Sequence, residues 1–185
     1  MSITVDLSGT DNLPDVSEIP SVARDLGART AEMTVAYGHA HSEWLTLVDH
    51  YHAPEQNLVY AAMDECWNAS QAVNDGVGVS ITALEAFAEA VETIRTKRAE
   101  LQSDILQAQQ ADAAEDAKRS EDRTHHVLGD LFDLGEDLVI QLRLQQRADA
   151  LTEELRVAED ACIRSHSAMF TRNTRDVVPV YAADQ

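Results

Sequence analysis

Apolar positions between residues 20 and 170 recur every three or four residues, the spacing of helices that each bury one face. Residues 1–19 mix Ser, Thr, Asp, Gly and Pro without that period and read as a flexible N-terminal arm. Ser17 with Pro20 just behind it marks a helix start, and Glu18 and Asp25 suit the positive end of the helix dipole. A first helix is predicted from Pro20 to His41 with a stripe of Val22, Leu26, Met33 and Tyr37, widened by Ala23 and Ala40. Gly27 and Gly38 either weaken it or let another backbone come close. A second piece starts at Ser42, a suitable N-cap, and carries Trp44, Leu47, Val48 and Tyr51 at helical spacing. It ends by Ala53, because Pro54 drives its predecessor out of the helical region.

Pro54 then opens a long helix whose stripe is Leu58, Ala62, Cys66, Ala69, Val73, Val77, Leu84, Phe87, Val91, Ile94, Leu101 and Ile105. Its phase survives Gly76 and Gly78, which predicts one bent helix rather than two. Residues 111–122 (ADAAEDAKRSED) carry no stripe and are assigned the turn. A last helix from Arg123 to Phe170 follows, with Val127, Leu131, Leu134, Leu138, Leu142, Leu151, Leu155, Ala158, Cys162 and Met169 as its stripe. Heptad-like spacing over this length predicts a coiled-coil hairpin. Facing residues of an antiparallel hairpin have a constant index sum. Ile105 with Val127, Leu101 with Leu131, Ile94 with Leu138 and Val77 with Leu155 all give 232.

The expected fold is therefore all-α: an elongated antiparallel helical bundle or coiled-coil hairpin with a shorter N-terminal helix on its flank. The domain reading is an arm at 1–19, a helical hairpin at 20–111, and a turn plus long C-terminal helix at 112–171 packed antiparallel on 54–110. Residues 172–185 (ending VVPVYAADQ) form a tail or linker.

Composition fits this. Ala, Leu, Glu, Gln and Arg, all good helix formers, dominate the middle, and only 5% of the residues are aromatic. The formal charge of −19, from 14 basic and 33 acidic residues, disfavours phosphate backbones and anionic lipid surfaces as partners. It leaves open an acidic nucleic-acid mimic, against the plainer reading of a solvated helical surface. No apolar run approaches a membrane span, and MSITVDLSGTDNLPD lacks a basic region followed by an apolar stretch. The expectation is a protein cytoplasmic as made, which leaves the cell, if at all, by a route other than Sec.

Candidate chemistry is sparse. Asp49 with His52 and Asp122 with His125 have the i, i+3 spacing that sets a carboxylate and an imidazole on one helical face. The 232 register keeps the two pairs far apart, so no metal centre is expected. His39, His41, His50 and His126 read as exposed helix residues. Neither a nucleophilic triad, nor a Gly-rich phosphate loop, nor a Cys-x-x-Cys is present, so neither catalysis nor a cofactor is expected. Cys66 and Cys162 are two separately buried thiols or, since their index sum of 228 is one helical turn from the register, a candidate disulfide formed in an oxidising compartment.

The segment HSEWLTLVDHYHAPEQNLVYAAMDE carries a resemblance. Trp44-Leu45-Thr46-Leu47 followed by Tyr51-His52-Ala53-Pro54-Glu55 resembles the helix junction of the WxG helical-hairpin superfamily, the substrates of type VII (ESX-type) secretion in Gram-positive bacteria. The likeness is to the extended form that opens many actinobacterial polymorphic toxins, with Trp-x-Gly-Leu and then Tyr-x-Ala-Pro-Glu. Ala158-Glu159-Asp160-Ala161-Cys162 is similar to an Ala-Glu-x-x-Cys pattern late in the last helix of such domains. The resemblance covers about residues 20–170. Thr46 stands where the family has Gly, which predicts a wider turn there.

The resemblance implies that Trp44, Thr46, Leu47, Tyr51, Pro54 and Glu55 form the motif and turn. It also implies an export signal of the form Tyr-x-x-x-Asp/Glu, which Tyr60 with Asp64 fits, as does Tyr51 with Glu55. The function implied is that of a secretion-linked helical module, either a stand-alone substrate or the targeting part of a toxin. It would bind another small helical protein (a WxG-like partner or chaperone) or itself. A non-exported coiled-coil scaffold, or a chaperone- or phage-type adaptor, is the alternative from the residues alone.

Overall fold

A computed structural model of the chain describes residues 3–121 and 129–176, and the side chains of residues 3–117 and 137–168. Three α-helices are formed: α1 (Ile19–Leu45), α2 (Gln56–Glu121) and α3 (Gly129–Asp176). Two 3-10 turns, Ser8–Thr10 and Thr46–Asp49, complete the described elements, and none of the described residues forms a strand. The all-α expectation holds. α2 runs unbroken through Gly76 and Gly78. The chain divides into two compact units. One holds Met1–Val16 and Glu89–Glu159; the other holds Ser17–Ala88 and Asp160–Gln185.

The first unit packs α2 against α3 in antiparallel order. Lys97 Nζ donates to Glu154 at 2.7 Å and Arg147 Nη1 to Asp104 at 2.6 Å, so the index sum is 251, not 232. Ile94, Leu101 and Ile105 of α2 and Leu144, Ala148 and Leu151 of α3 form the core, flanked by Ala108 and Leu155. Each buried Leu or Ile contributes about 1.5–3 kcal/mol.

Residues 3–16 complete that core and are not a free arm. Ile3, at 2% exposure, sits in the same cluster, with Val5, Leu7 and Leu13 packed on it, and Val16 is equally buried. This strap runs antiparallel to α2. Gln109 Nε2 donates to the Ile3 carbonyl, Arg98 Nε to Thr10 Oγ1 at 3.0 Å, and Arg95 Nη2 to the Pro14 carbonyl. Arg98 also pairs with Asp11. On the α3 side the Asp6 N–H donates to Gln145 Oε1 at 2.8 Å. The pattern behind this is a change of period. Ile3, Val5 and Leu7 alternate as in an extended segment, and then Leu7, Thr10, Leu13 and Val16 recur every third residue through the 3-10 turn. Gly9 marks the closest approach: a Cβ there would lie 2.2 Å from Thr152 Oγ1.

The second unit pairs α1 with the first half of α2, through small residues. Ala23 and Thr30 of α1 and Ser70 and Ser80 of α2 are buried, Gly27 faces Ile81, and Gly38 faces Trp67. Cβ atoms on the two glycines would come 3.2 and 3.1 Å from those side chains, so close approach is their use here. The stripe of Val22, Leu26, Met33 and Tyr37 lies about a quarter-turn round from that buried face. Its members Val22, Leu26 and Tyr37 are exposed.

Five further expectations are corrected. Ser42 is not a helix start: its Oγ donates back to the Gly38 carbonyl, and α1 continues to Leu45. Residues 111–121 do not turn, because Ala, Glu, Lys and Arg sustain a helix without an apolar stripe. Between 58 and 73 the buried side of α2 lies one residue later than predicted: Leu58, Ala62, Cys66, Ala69 and Val73 are exposed, while Val59, Met63, Trp67 and Ser70 face inward. Leu138 and Leu142 are also exposed, at 57% and 60%. Leu142 and Leu151 are nine residues apart, which is two and a half turns, so one stripe cannot hold both. Within the described residues α3 runs to Asp176, six residues past the predicted Phe170. Asp122, His125, His126 and Val127 lie outside the described residues, as do the side chains of Leu131, Leu134 and Met169 and the tail beyond Asp176.

The register gives a direct test. Leu101→Ala should destabilise the protein by about 2–5 kcal/mol, as large-to-small core changes do. Leu142→Ala should stay within roughly 0.5 kcal/mol, as exposed substitutions do. Chemical denaturation of the two variants checks both, and the 232 register predicts comparable losses instead.

Candidate functional site: the α1–α2 junction

The motif residues converge where α1 hands over to α2. Trp44, the penultimate residue of α1, donates its indole N–H to the Val59 carbonyl in the first turn of α2, at 2.7 Å. The Tyr60 hydroxyl donates to the Tyr51 carbonyl and ties the incoming loop to the same turn. One helical turn earlier on α1, His41 Nε2 lies 2.7 Å from Asp64 Oδ1. The His41 ring stacks on Trp67 with centroids 5.9 Å apart and 17° between planes. Trp67 in turn rests on Gly38. The pairs Trp44–Val59, His41–Asp64 and Gly38–Trp67 keep index sums of 103 to 105, an antiparallel seam closed by one aromatic hydrogen bond and one imidazole–indole stack.

Thr46 does not occupy a glycine-like turn. Its φ of −67° and ψ of −15° are helical, and its Oγ1 donates to the Glu43 carbonyl at 2.7 Å. The 3-10 turn Thr46–Asp49 carries the helical path onward, with Leu47 half-buried and its carbonyl accepting the N–H groups of His50 and Tyr51. The chain reverses later, between His50 and Glu55. The wider turn predicted at Thr46 is thus a displaced one, because a Cβ-bearing residue there stays helical. Pro54 lies in that reversal, and Gln56 begins α2 with its N–H on the Ala53 carbonyl.

Tyr51 and Glu55 form a local pair. The Tyr51 hydroxyl donates to Glu55 Oε1 at 2.8 Å. That hydrogen bond holds the Glu55 carboxyl below its ordinary value, helped by its own backbone N–H, and pushes the Tyr51 phenol up. Tyr60 and Asp64, the other export candidate, are both engaged in the seam, one with the Tyr51 carbonyl and one with His41.

Sequence reasoning missed His41 and Trp67 as members of this site. The signal was the seam itself: Gly38, His41 and Trp44 stand at i, i+3 and i+6 on α1, opposite Trp67, Asp64 and Val59. Asp49, His50 and His52 are exposed. Among the described residues no three His, Cys, Asp or Glu side chains form a group able to hold a metal ion. Cys66 and Cys162 are free thiols; Cys66 is exposed, off the buried face of α2, and Cys162 Sγ lies 3.8 Å from His166 Nδ1. The bridge considered from the 232 register loses its premise with that register. No protein-family model, curated protein or solved structure matches the chain.

Two outcomes follow for stability and one for titration. Trp44→Phe should cost about 1 kcal/mol, the net worth of a hydrogen bond. Thr46→Gly should destabilise by roughly 0.5–1 kcal/mol, since it puts Gly into helical backbone; denaturant melts resolve both, and a gain in the second would return the turn to Thr46. A carboxyl with a lowered folded pKa contributes stability above its unfolded value near 4.5 that is lost as pH falls through the folded value. Tyr51→Phe should therefore move the Glu55 carboxyl back up toward 4.5, read by NMR titration of its side-chain carbon.

Proposed function

We propose that this chain is a type VII secretion-linked helical module that acts by helix-to-helix association rather than by catalysis, either as a substrate itself or as the targeting and partner-binding part of a toxin. The observation that carries the reading is the Trp44 indole bound to the first turn of α2, since the aromatic that the resemblance assigns to the junction is the one that closes it. Tyr60 and Asp64, i and i+4 on α2, stand as the export signal on that same hairpin, with Asp64 half-exposed at its side chain. The partner is a second helical protein, and Val22, Leu26 and Tyr37 on α1 are the apolar side chains offered to it. Among the described residues no helix is long and apolar enough to cross a membrane. The helical geometry of Thr46 favours the second reading, a coiled-coil scaffold with no export role, because it departs from the turn that the resemblance implies.

Export separates the two. Expressed in a Gram-positive host with an active type VII apparatus, the chain should accumulate in the medium, and should stay in the cells when that apparatus is inactivated. Tyr60→Ala should abolish export while leaving the far-ultraviolet circular dichroism within a few per cent of wild type. Retention of the wild-type chain in both hosts would reject the export reading and leave the scaffold.

A further inference from the structure

The groove between α2 and α3 in the first unit is built to receive an extended peptide, and its resident is the strap of residues 3–16. The geometry points to a second occupant: the same strap from another copy of this chain, exchanged in trans to give a strap-swapped dimer. Three observations carry this. The groove is complete without any residue adjacent to the strap in sequence, because residues 17–88 separate the strap from the rest of its unit. Everything that seats residues 3–16 therefore comes from α2 and α3, and a neighbouring copy presents the identical set.

The seating is also of an exchangeable kind. Main-chain groups of the strap are held by the side chains of Arg95, Gln109 and Gln145, the last two reaching Ile3 and Asp6, and not by a backbone ladder. The apolar residues Ile3, Val5, Leu7 and Leu13 supply the affinity in short, separate insertions. Finally, the joint is short and exposed. Val16 is the last buried strap residue, Ser17 and Glu18 are exposed, and α1 begins at Ile19 with Pro20 in its first turn, so a change of direction at 17–18 disturbs no core. Exchange of an identical element through such a joint creates no new interface chemistry, only the same contacts between two chains.

Gly9 supplies the test. Its Cβ position lies 3.0 Å from the Thr152 Cβ, close to the roughly 3.8 Å that a disulfide spans between Cβ atoms. All chains carry Cys66→Ser and Cys162→Ser. A single chain with Gly9→Cys and Thr152→Cys should close an internal bond, which reports that the strap sits in the groove. A Gly9→Cys chain is then mixed with a Thr152→Cys chain under mild oxidation. The native Thr152 crowds the new side chain in the first of these, which loosens its own strap.

A covalent heterodimer should appear on a non-reducing gel, its yield rising more than about tenfold between roughly 1 and 100 µM protein, as mass action requires of a bimolecular exchange. Adding Ile3→Asp to the Gly9→Cys chain should abolish it, because the strap then lacks the buried side chain that enters the α2–α3 core. No heterodimer from the mixed chains, while the single doubly substituted chain closes its bond, overturns the proposal. So does a heterodimer that Ile3→Asp leaves unchanged, since that is chance collision, and so does failure of the internal bond, since the strap is then not seated as described.

Discussion

The buried seam of α2, one side chain every three or four residues from Val59 through Ala108, is the constraint to which the other elements answer. A helix of 66 residues gains little from propensity alone and takes its stability from what covers its apolar face. The seam changes character along its length, and the covering changes with it. In its first half it is built of Trp67, Ser70, Val77 and Ser80, a mixture of one large ring with small hydroxyls, which a glycine-bearing helix such as α1 can approach closely. In its second half it is built of Ile94, Leu101 and Ile105, larger and wholly apolar, and both α3 and the strap pack against it.

That change explains which parts of the fold were legible. Helix existence, the unbroken passage through Gly76 and Gly78, and the junction near Pro54 followed from spacing and propensity. The register did not. Index sums of 232 and 251 differ by 19 residues, one more than the 18 that make five full helical turns, so the two registers turn faces about 100° apart toward α2, and Leu138 and Leu142 lie on the one left exposed. The register follows instead from the length of α2: residues 111–121 carry the helix past the place where their lack of apolar side chains put the expected turn. The buried side of α2 near residue 66 was misread for a related reason. Ser70 and Asn74 occupy seam positions with polar side chains, and Ser70 reconciles itself to burial by turning its hydroxyl onto the Trp67 carbonyl. An apolar count sees the neighbouring Ala69 and Val73 instead.

The junction was half legible. Trp44 and Tyr51 were identified as packing aromatics, and each makes a hydrogen bond with its polar atom as well, the usual need of a partly buried indole or phenol. His41 was not distinguished from the six other histidines, because nothing in its immediate neighbours marks it. Only the pairing of α1 with α2 brings Asp64 and Trp67 to its ring. Residues 3–16 were illegible for a different reason: their period shifts from two to three at Leu7, and a search for either period alone finds too few repeats.

The order of the chain has a consequence for its birth on the ribosome. Ile3 finds its core partner Leu144 only after some 140 further residues have been made, which at about 5–20 residues per second is on the order of ten seconds or more. During that interval α1 and the first half of α2 are already outside and local enough to pair, while the leading segment remains an apolar extended peptide with no groove to enter. Contacts so distant in sequence close slowly and last. Residues 3–16 thus stay unhoused until α3 has been made, although they precede it by the whole length of α1 and α2.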